Sequence, residues 1–467
     1  MSKYTLNGTL YAPYQVDGVR WMSEMENQKK GPKGGFLCDE MGLGKTIQII
    51  ATILKNPKKH TLVVVPKTIV TQWSNEIKKF APNLCVHVYD GPNRTKDAKD
   101  LLGHDIVLST YSMVHSKTSV LGFIHWDRIV LDEAHEIRNR RTQTFKSLNT
   151  LHSTIRWMVT GTPIFNSMED FVSLCAFLGF SKQVVQAMHK DIKSIYILRR
   201  TKADSSLELP YCHFENVELD MYDEEQKLYD CVFMECQETI SHVMRTAVST
   251  EIRNMCILEC LLRVRQMMIW PQLYLSGIAK KNEQPEQKWE HRTHKMDKLF
   301  MYVNSHPDEK SVIFCQYKGE MDYIEKTLMC TVFRIDGSIE KDERHRRIEL
   351  FTSAPSNSVL IIQLKCGGVG LNIQCATRVY IMSPYWNPST ELQAIGRCHR
   401  SGQKHEVYVK KFVYKDTKKC RSVDLAMMSL QGHKSIICAD VLNDKRIEFQ
   451  IPVKYETSID AIRNIFR

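Results

Sequence analysis

The stretch that most restricts this chain is an apolar run, a glycine turn and a helical pattern in immediate succession. Gly34–Cys38 reads GGFLC, Asp39–Thr46 reads DEMGLGKT, and Ile47–Leu54 reads IQIIATIL. A strand, a tight loop and a helix start in that order are the setting of a phosphate-binding loop. Gly42 and Gly44 permit backbone angles that bring amide N–H groups against phosphate. Lys45 is placed to bridge the β- and γ-phosphates, and Thr46 to set its hydroxyl on magnesium. Asp39, Glu40, Met41 and Leu43 complete the loop, with Asp39 standing where the strict pattern has its first glycine. ATP and Mg2+ are therefore the expected cofactors.

A second motif supplies the metal's other partner. Arg128–Leu131 is a buried-strand pattern that runs into Asp132, Glu133, Ala134 and His135. Parallel strands deliver the residues at their C-terminal ends to the ligand crevice. Asp132 is expected to hold magnesium, and Glu133 to orient or deprotonate the attacking water.

The rest of the chain repeats the strand-then-helix rhythm. Short apolar runs at Thr61–Val65, Ile106–Leu108 and Arg156–Val159 are each followed by turn residues and a helical pattern. That alternation predicts a parallel α/β lobe over residues 1–210. From Tyr222 to Leu275 only helical spacing is visible, and Lys280–Thr293 is polar and charged, so residues 211–290 read as a helical insertion with an exposed connector. Strand-like runs resume at Ser311–Phe314, Val332–Ile335, Val359–Ile362 and Val379–Met382, giving a second α/β lobe over 291–435. Residues 436–467 form a C-terminal extension without a readable motif.

Bulk properties narrow the partners. Of the 467 residues, 43% are hydrophobic and 25% charged, which suits a globular core. The formal net charge of +11 favours a polyanionic partner such as nucleic acid. The 15 cysteines include no CxxC pair and sit mostly in apolar runs, as reduced core thiols do. Cys256 and Cys260 share a helical face, but nothing at zinc spacing accompanies them. No signal-peptide pattern opens the sequence, and no apolar run approaches the roughly 18–20 residues of a membrane span. The expected location is nuclear or cytoplasmic, or a virion if the source is viral, with no membrane partner.

At this point the sequence resembles the Swi/Snf-type (sucrose non-fermenting) helicase-related ATPases of helicase superfamily two, over about residues 10–435. LYAPYQVDGVRWM before the phosphate loop is similar to the family's entry motif. VVVPKTIVTQW (Val63–Trp73), DIVLSTYSMV (Asp105–Val114), VTGTPIFNS (Val159–Ser167) and ILRRTKADSSLELP (Ile197–Pro210) follow in the family's order. So do VIFCQYKGEMDYIE, FRIDGSI, VLIIQLKCGGVGLNI (Val359–Ile373) and QAIGRCHRSGQ (Gln393–Gln403) in the second half.

The resemblance implies two RecA-like parallel-sheet lobes with a helical insertion between them. It implies that Gln15 reads the adenine, that Gly370 lies at the nucleotide, and that Arg397 and Arg400 close onto ATP from the second lobe. On a helix those arginines would share one face at i and i+3, with Gln393 one turn earlier, near the γ-phosphate or its water. Arginine at the γ-phosphate in flight is worth roughly 1,000- to 100,000-fold. Backbone gripping needs amides, hydroxyls and cations. The candidates are Lys67, Thr68, Ser109, Thr110, Thr160, Lys318, Arg334, Lys365, Gly367 and Gly368, with Trp386 as an aromatic near the groove; Thr160 and Thr162 lie in the segment that links hydrolysis to DNA contact.

The activity so implied is a DNA-dependent ATPase, a monomer that translocates on double-stranded DNA and remodels protein–DNA complexes such as nucleosomes or transcription complexes. A strand-separating helicase and an ATP-gated nucleic-acid-binding scaffold are the alternatives. Intact Lys45, Thr46, Asp132, Glu133, Arg397 and Arg400 disfavour the scaffold.

Overall fold

The computed structural model describes residues 5–442 and 458–466, apart from 12, 117, 162–167, 206–208, 247–248, 368–370 and 401. The chain divides into two compact units, one built mainly from Met1–Glu208 and the other mainly from Leu209–Ser435.

The first unit is built on β1 (Lys33–Leu37), β2 (Thr61–Val65), β3 (Val86–Tyr89), β4 (Ile106–Thr110), β5 (Trp126–Asp132), β6 (Ser153–Val159) and β7 (Ile197–Leu198). Their order in the sheet is β3-β4-β2-β5-β6-β1-β7, and every pairing is parallel. Thr61–Val65 and Ile106–Thr110 are buried at every position, as strands covered on both faces must be. The helix Lys45–Lys55 turns Ile49, Ile50, Ile53 and Leu54 inward to cover the sheet.

Below the sheet's C-terminal edge, at the start of β5, lies a buried ion pair. Arg128 donates through Nε to Glu26 Oε1 at 2.6 Å and through Nη2 to Oε2 at 2.5 Å. Trp157 Nε1 and Asn56 Nδ2 satisfy the same carboxylate at 2.9 and 2.7 Å. Full pairing is what lets two charges sit at 1% and 0% exposure.

The second unit holds β8 (Cys212–Leu219), β9 (Ser311–Cys315), β10 (Val332–Ile335), β11 (Val359–Gln363), β12 (Arg378–Ile381) and β13 (Val407–Tyr414). The order is β10-β11-β9-β12-β13-β8, again parallel throughout. Here the sequence-based boundary is corrected. Residues 212–219 are not part of a helical insertion, because they form an edge strand paired with β13 along its whole length. Only Val217 and Leu219 of that strand are buried, so its local pattern is too polar to announce it.

Helices Asp223–Arg245, Thr250–Ile269 and Pro271–Asn282 follow, as the helical spacing predicts. Asp223, Glu224 and Glu225 sit in the first turn of the first of these, where acidic groups favour the helix dipole. The three helices share one core with the inner faces of β8, β9, β11, β12 and β13. The C-terminal helix Ser458–Ile465, in the stretch without a readable motif, and Phe466 just after it add Ile462, Ile465 and Phe466 to that core. Among the described residues no single helix is long and apolar enough to cross a membrane.

Candidate functional site

The loop after β1 has the conformation that its glycines allow. Gly42 and Gly44 take φ of 93° and 72°, and Gly44 caps the helix Lys45–Lys55 from the left-handed region. A Cβ on Gly44 would come within 2.5 Å of Gln15 Nε2, so only glycine lets that amide reach the loop. Lys45 folds back over the loop and donates to the carbonyls of Asp39 (2.8 Å) and Glu40 (3.3 Å). Burial pushes its ammonium below the usual range, against the pull of Glu133, Asp39 and Asp132.

Gln15 is almost fully buried. Its Nε2 donates to Leu43 O at 3.1 Å and its Oε1 accepts from Tyr11 N at 2.9 Å. The side chain therefore holds the phosphate loop itself, a role beyond the expected adenine contact.

Sequence reasoning missed what lies under the loop. Asp39 is completely buried. It accepts from Arg200 N (3.1 Å) and Nε (2.9 Å) on Oδ1, and from Gln48 Nε2 (3.0 Å) and Arg200 Nη2 on Oδ2. Arg200 also reaches Tyr14 O and Gln48 Oε1. Arg199 donates to Cys38 O at 2.7 Å, and Lys202 N to Glu40 Oε2 at 2.9 Å. The segment after β7 thus fastens the loop from below. No local signal marks this, because the partners lie about 150 or more residues apart.

At the end of β5, Asp132 Oδ1 accepts from Glu133 N at 2.9 Å and Oδ2 from Trp73 Nε1 at 2.6 Å. Its carboxyl is pushed up to about 6, by burial first and by Glu133 second, while the Trp73 bond and Lys45 act the other way. Glu133 sits at φ 50°, a left-handed conformation that costs a non-glycine residue and is common at functional sites. Its Oε2 is 3.3 Å from His135 Nδ1. Lys45, Asp132 and Glu133 act on one another electrostatically, so the loop and the acidic turn form one site.

The donor set suits magnesium. Asp132 offers a carboxylate and Thr46, half-buried in the first helical turn, a hydroxyl. Mg2+ uses one or two protein oxygens and keeps the rest of its shell for water and phosphate. Among the described residues no cluster of three His, Cys, Asp or Glu could hold a metal, Cys256 and Cys260 included.

The expected nucleic-acid contacts fare unevenly. Lys67 is exposed and Thr68 half-buried, in the turn after β2. Ser109, Thr110 and Thr160 are buried. Ser109 Oγ donates to Tyr89 O at 3.0 Å, and Thr110 Oγ1 to Asp90 Oδ1 at 3.3 Å. Lys318 is half-exposed, 3.6 Å from Asp336. Arg334 is engaged with Asp322, Glu325 and Asp336 at 2.5, 3.1 and 2.9 Å, a carboxylate cage that leaves it little to offer a phosphate. Lys365 is exposed on the short helix Leu364–Gly367. Trp386 packs against the core of the second unit. Thr162, Gly368 and Gly370 lie outside the described residues.

The arginine pair requires a correction. The helix Pro388–Ile395 carries Gln393, half-buried, but ends before either arginine. Gly396 N bonds to Leu392 O, then Arg397 N to Ala394 O and Cys398 N to Ile395 O, so the chain tightens into turns. Arg397 is buried and Arg400 half-buried in that turn segment, rather than on one helical face.

Comparison with known proteins follows the same division. The SNF2-related domain family matches residues 14–184, and the helicase conserved C-terminal domain matches 293–402. YwqA of Bacillus subtilis is 32% identical over 446 residues, covering 88% of this chain and 46% of that protein. The DNA repair protein RAD5B of Arabidopsis thaliana is 27% identical, covering 89% and 46%. The TATA-binding protein-associated factor mot1 of Schizosaccharomyces pombe is 28% identical, covering 92% and 26%. The chain thus spans half the length or less of these relatives. The Sulfolobus solfataricus SWI2/SNF2 ATPase core in complex with dsDNA is 29% identical over 95% of both chains, with a TM-score of 0.42.

Proposed function

Because this chain belongs to the SNF2-related, helicase-like ATPases, we propose that it hydrolyses ATP to move along double-stranded DNA and remodel DNA structure or DNA-bound proteins. The observation that carries this reading is the joining of Lys45, Asp132 and Glu133 in one electrostatic site at the C-terminal edge of a parallel sheet.

In this reading the amides around Gly42 and Gly44 cradle the phosphates, and Lys45 exchanges its loop carbonyls for the β- and γ-oxygens. Thr46 and Asp132 hold magnesium, which when bound neutralises charge on the phosphates. Glu133, poised at the strained turn after β5, orients the attacking water. Arg397 and Arg400 are the cations for the γ-phosphate in flight, and Gln15 keeps the loop registered with the adenine end. Exposed Lys67 and Lys365 are the first candidates for the DNA backbone. A family member of 28% identity is named for a TATA-binding protein partner, which supports DNA-bound proteins as cargo.

Phosphate release measured without nucleic acid, and with single-stranded DNA, duplex DNA and RNA, tests the proposal. Duplex DNA should accelerate turnover most. A rate indifferent to duplex DNA would favour the scaffold reading, or an RNA-directed motor if RNA accelerates it instead.

A further inference from the structure

Two buried donors converge on Asp132 from segments outside the nucleotide loop. Trp73 belongs to the helix Val70–Phe80, which follows β2, and is 1% exposed. Its indole N–H donates to Asp132 Oδ2 at 2.6 Å. Tyr111 opens the short helix directly after β4, and its hydroxyl donates to the backbone carbonyl of Asp132 at 2.8 Å. One bond fixes the plane of the carboxylate. The other fixes the peptide from which Glu133 turns into its left-handed conformation.

Both donors hang from the same crest. The turns after β2 and β4 stand side by side at the C-terminal edge of the sheet, and β5 lies on the other side of β2. Each turn presents an exposed polar residue to solvent, Lys67 after β2 and Ser112 after β4. Lys67 opens the short 3-10 turn Lys67–Ile69 that leads directly into the helix carrying Trp73, and Ser112 is the neighbour of Tyr111. A displacement of either turn by a phosphate backbone therefore reaches Asp132 through a single hydrogen bond. A buried tryptophan or tyrosine needs some partner for its polar atom. Here both choose Asp132, the residue proposed to hold magnesium and the one that precedes Glu133.

We infer that Trp73 and Tyr111 are positioning residues that couple nucleic-acid contact at the turns after β2 and β4 to the set of Asp132 and Glu133. The inference rests on the DNA-dependent ATPase reading. Outer-shell partners of metal ligands typically contribute roughly 10- to 100-fold in metal affinity or activity.

Tyr111→Phe removes one hydroxyl and keeps the ring; Trp73→Phe removes the indole donor. Tyr111→Phe should melt near the wild-type midpoint, Trp73→Phe lower because a smaller ring leaves space in a fully buried site, and both should bind duplex DNA with wild-type affinity. Each should nevertheless lose roughly tenfold in phosphate release with duplex DNA bound, and less without it, so that the ratio of stimulated to unstimulated release falls. Trp73→Phe should also raise the Mg2+ concentration needed for half-saturation with a fluorescent ADP, a binding readout independent of turnover. Should Trp73→Phe not fold, Tyr111→Phe decides alone. A stimulation ratio equal to wild type, or equal losses with and without DNA, would overturn the coupling and leave the functional proposal standing. A wild-type enzyme that duplex DNA does not accelerate would sink both.

Discussion

Arg200→Met isolates the support beneath the phosphate loop. Asp39 is fully buried, and among the described residues Arg200 supplies the only cation bonded to its carboxylate, Lys45 reaching the backbone carbonyl instead. Removing one member of a buried pair costs about 3–5 kcal/mol, because the other charge stays behind uncompensated. Two neutral donors survive the substitution, Gln48 Nε2 and the backbone N–H of residue 200, which places the cost near the low end, about 3 kcal/mol. At about 1.4 kcal/mol per decade, the opening equilibrium of this region rises about 100-fold. Global melting would blend two units, so the suitable assay is hydrogen exchange of the amides in β1 and the helix Lys45–Lys55. Protection there should fall about 100-fold while β9 to β12 keep theirs. The double variant Asp39→Asn/Arg200→Met, with no charge left to strand, should recover most of that protection. A single variant that loses less than about fivefold, or a double that is no better than the single, would refute the reasoning.

Further substitutions probe other parts of the account. Gly44→Ala forces a Cβ toward Gln15 at φ 72° and should weaken ATP binding by at least the ~1–2 kcal/mol of a left-handed alanine, measured by titration with a fluorescent ATP. Arg400→Ala should remove turnover while ATP binding largely survives; loss of binding would contradict its assignment to the γ-phosphate in flight. Glu320 is raised from 4.5 to about 7 by burial, so its contribution to stability is full below about 4.5 and is lost as pH climbs through 7. Glu320→Gln keeps an acceptor for Gln316 N and Tyr317 N without the charge, and should flatten the pH dependence of amide protection factors in the helix Lys318–Thr327 between about pH 5 and 8.

What could be read from the chain alone was whatever is written locally. The phosphate loop and the acidic turn each follow an apolar run, so periodicity and turn residues place them at the ends of β1 and β5. Strands β8 and β13 escaped because their patterns are mixed, and because the one partner of the edge strand β8 lies almost 200 residues away, in β13. The two-residue β7 is an edge strand paired with β1. Arg397 and Arg400 were placed on a helix by spacing, whereas the capping bonds at Gly396 end that helix first. The deepest part of the site, Arg200 under Asp39 and Trp73 on Asp132, is tertiary by nature. Neither Asp39 nor Trp73 carries any mark in its neighbours of the donor or acceptor that it will meet.

The central claim is movement on duplex DNA driven by this ATP site, and displacement of a third strand from a DNA triplex reads that movement directly. With ATP and Mg2+ the wild-type protein should release the third strand, and Lys45→Ala, which removes the ammonium over the loop, should bind the same DNA and release nothing. Unwinding of a forked duplex with no triplex displacement, or release that is the same for Lys45→Ala, would contradict it.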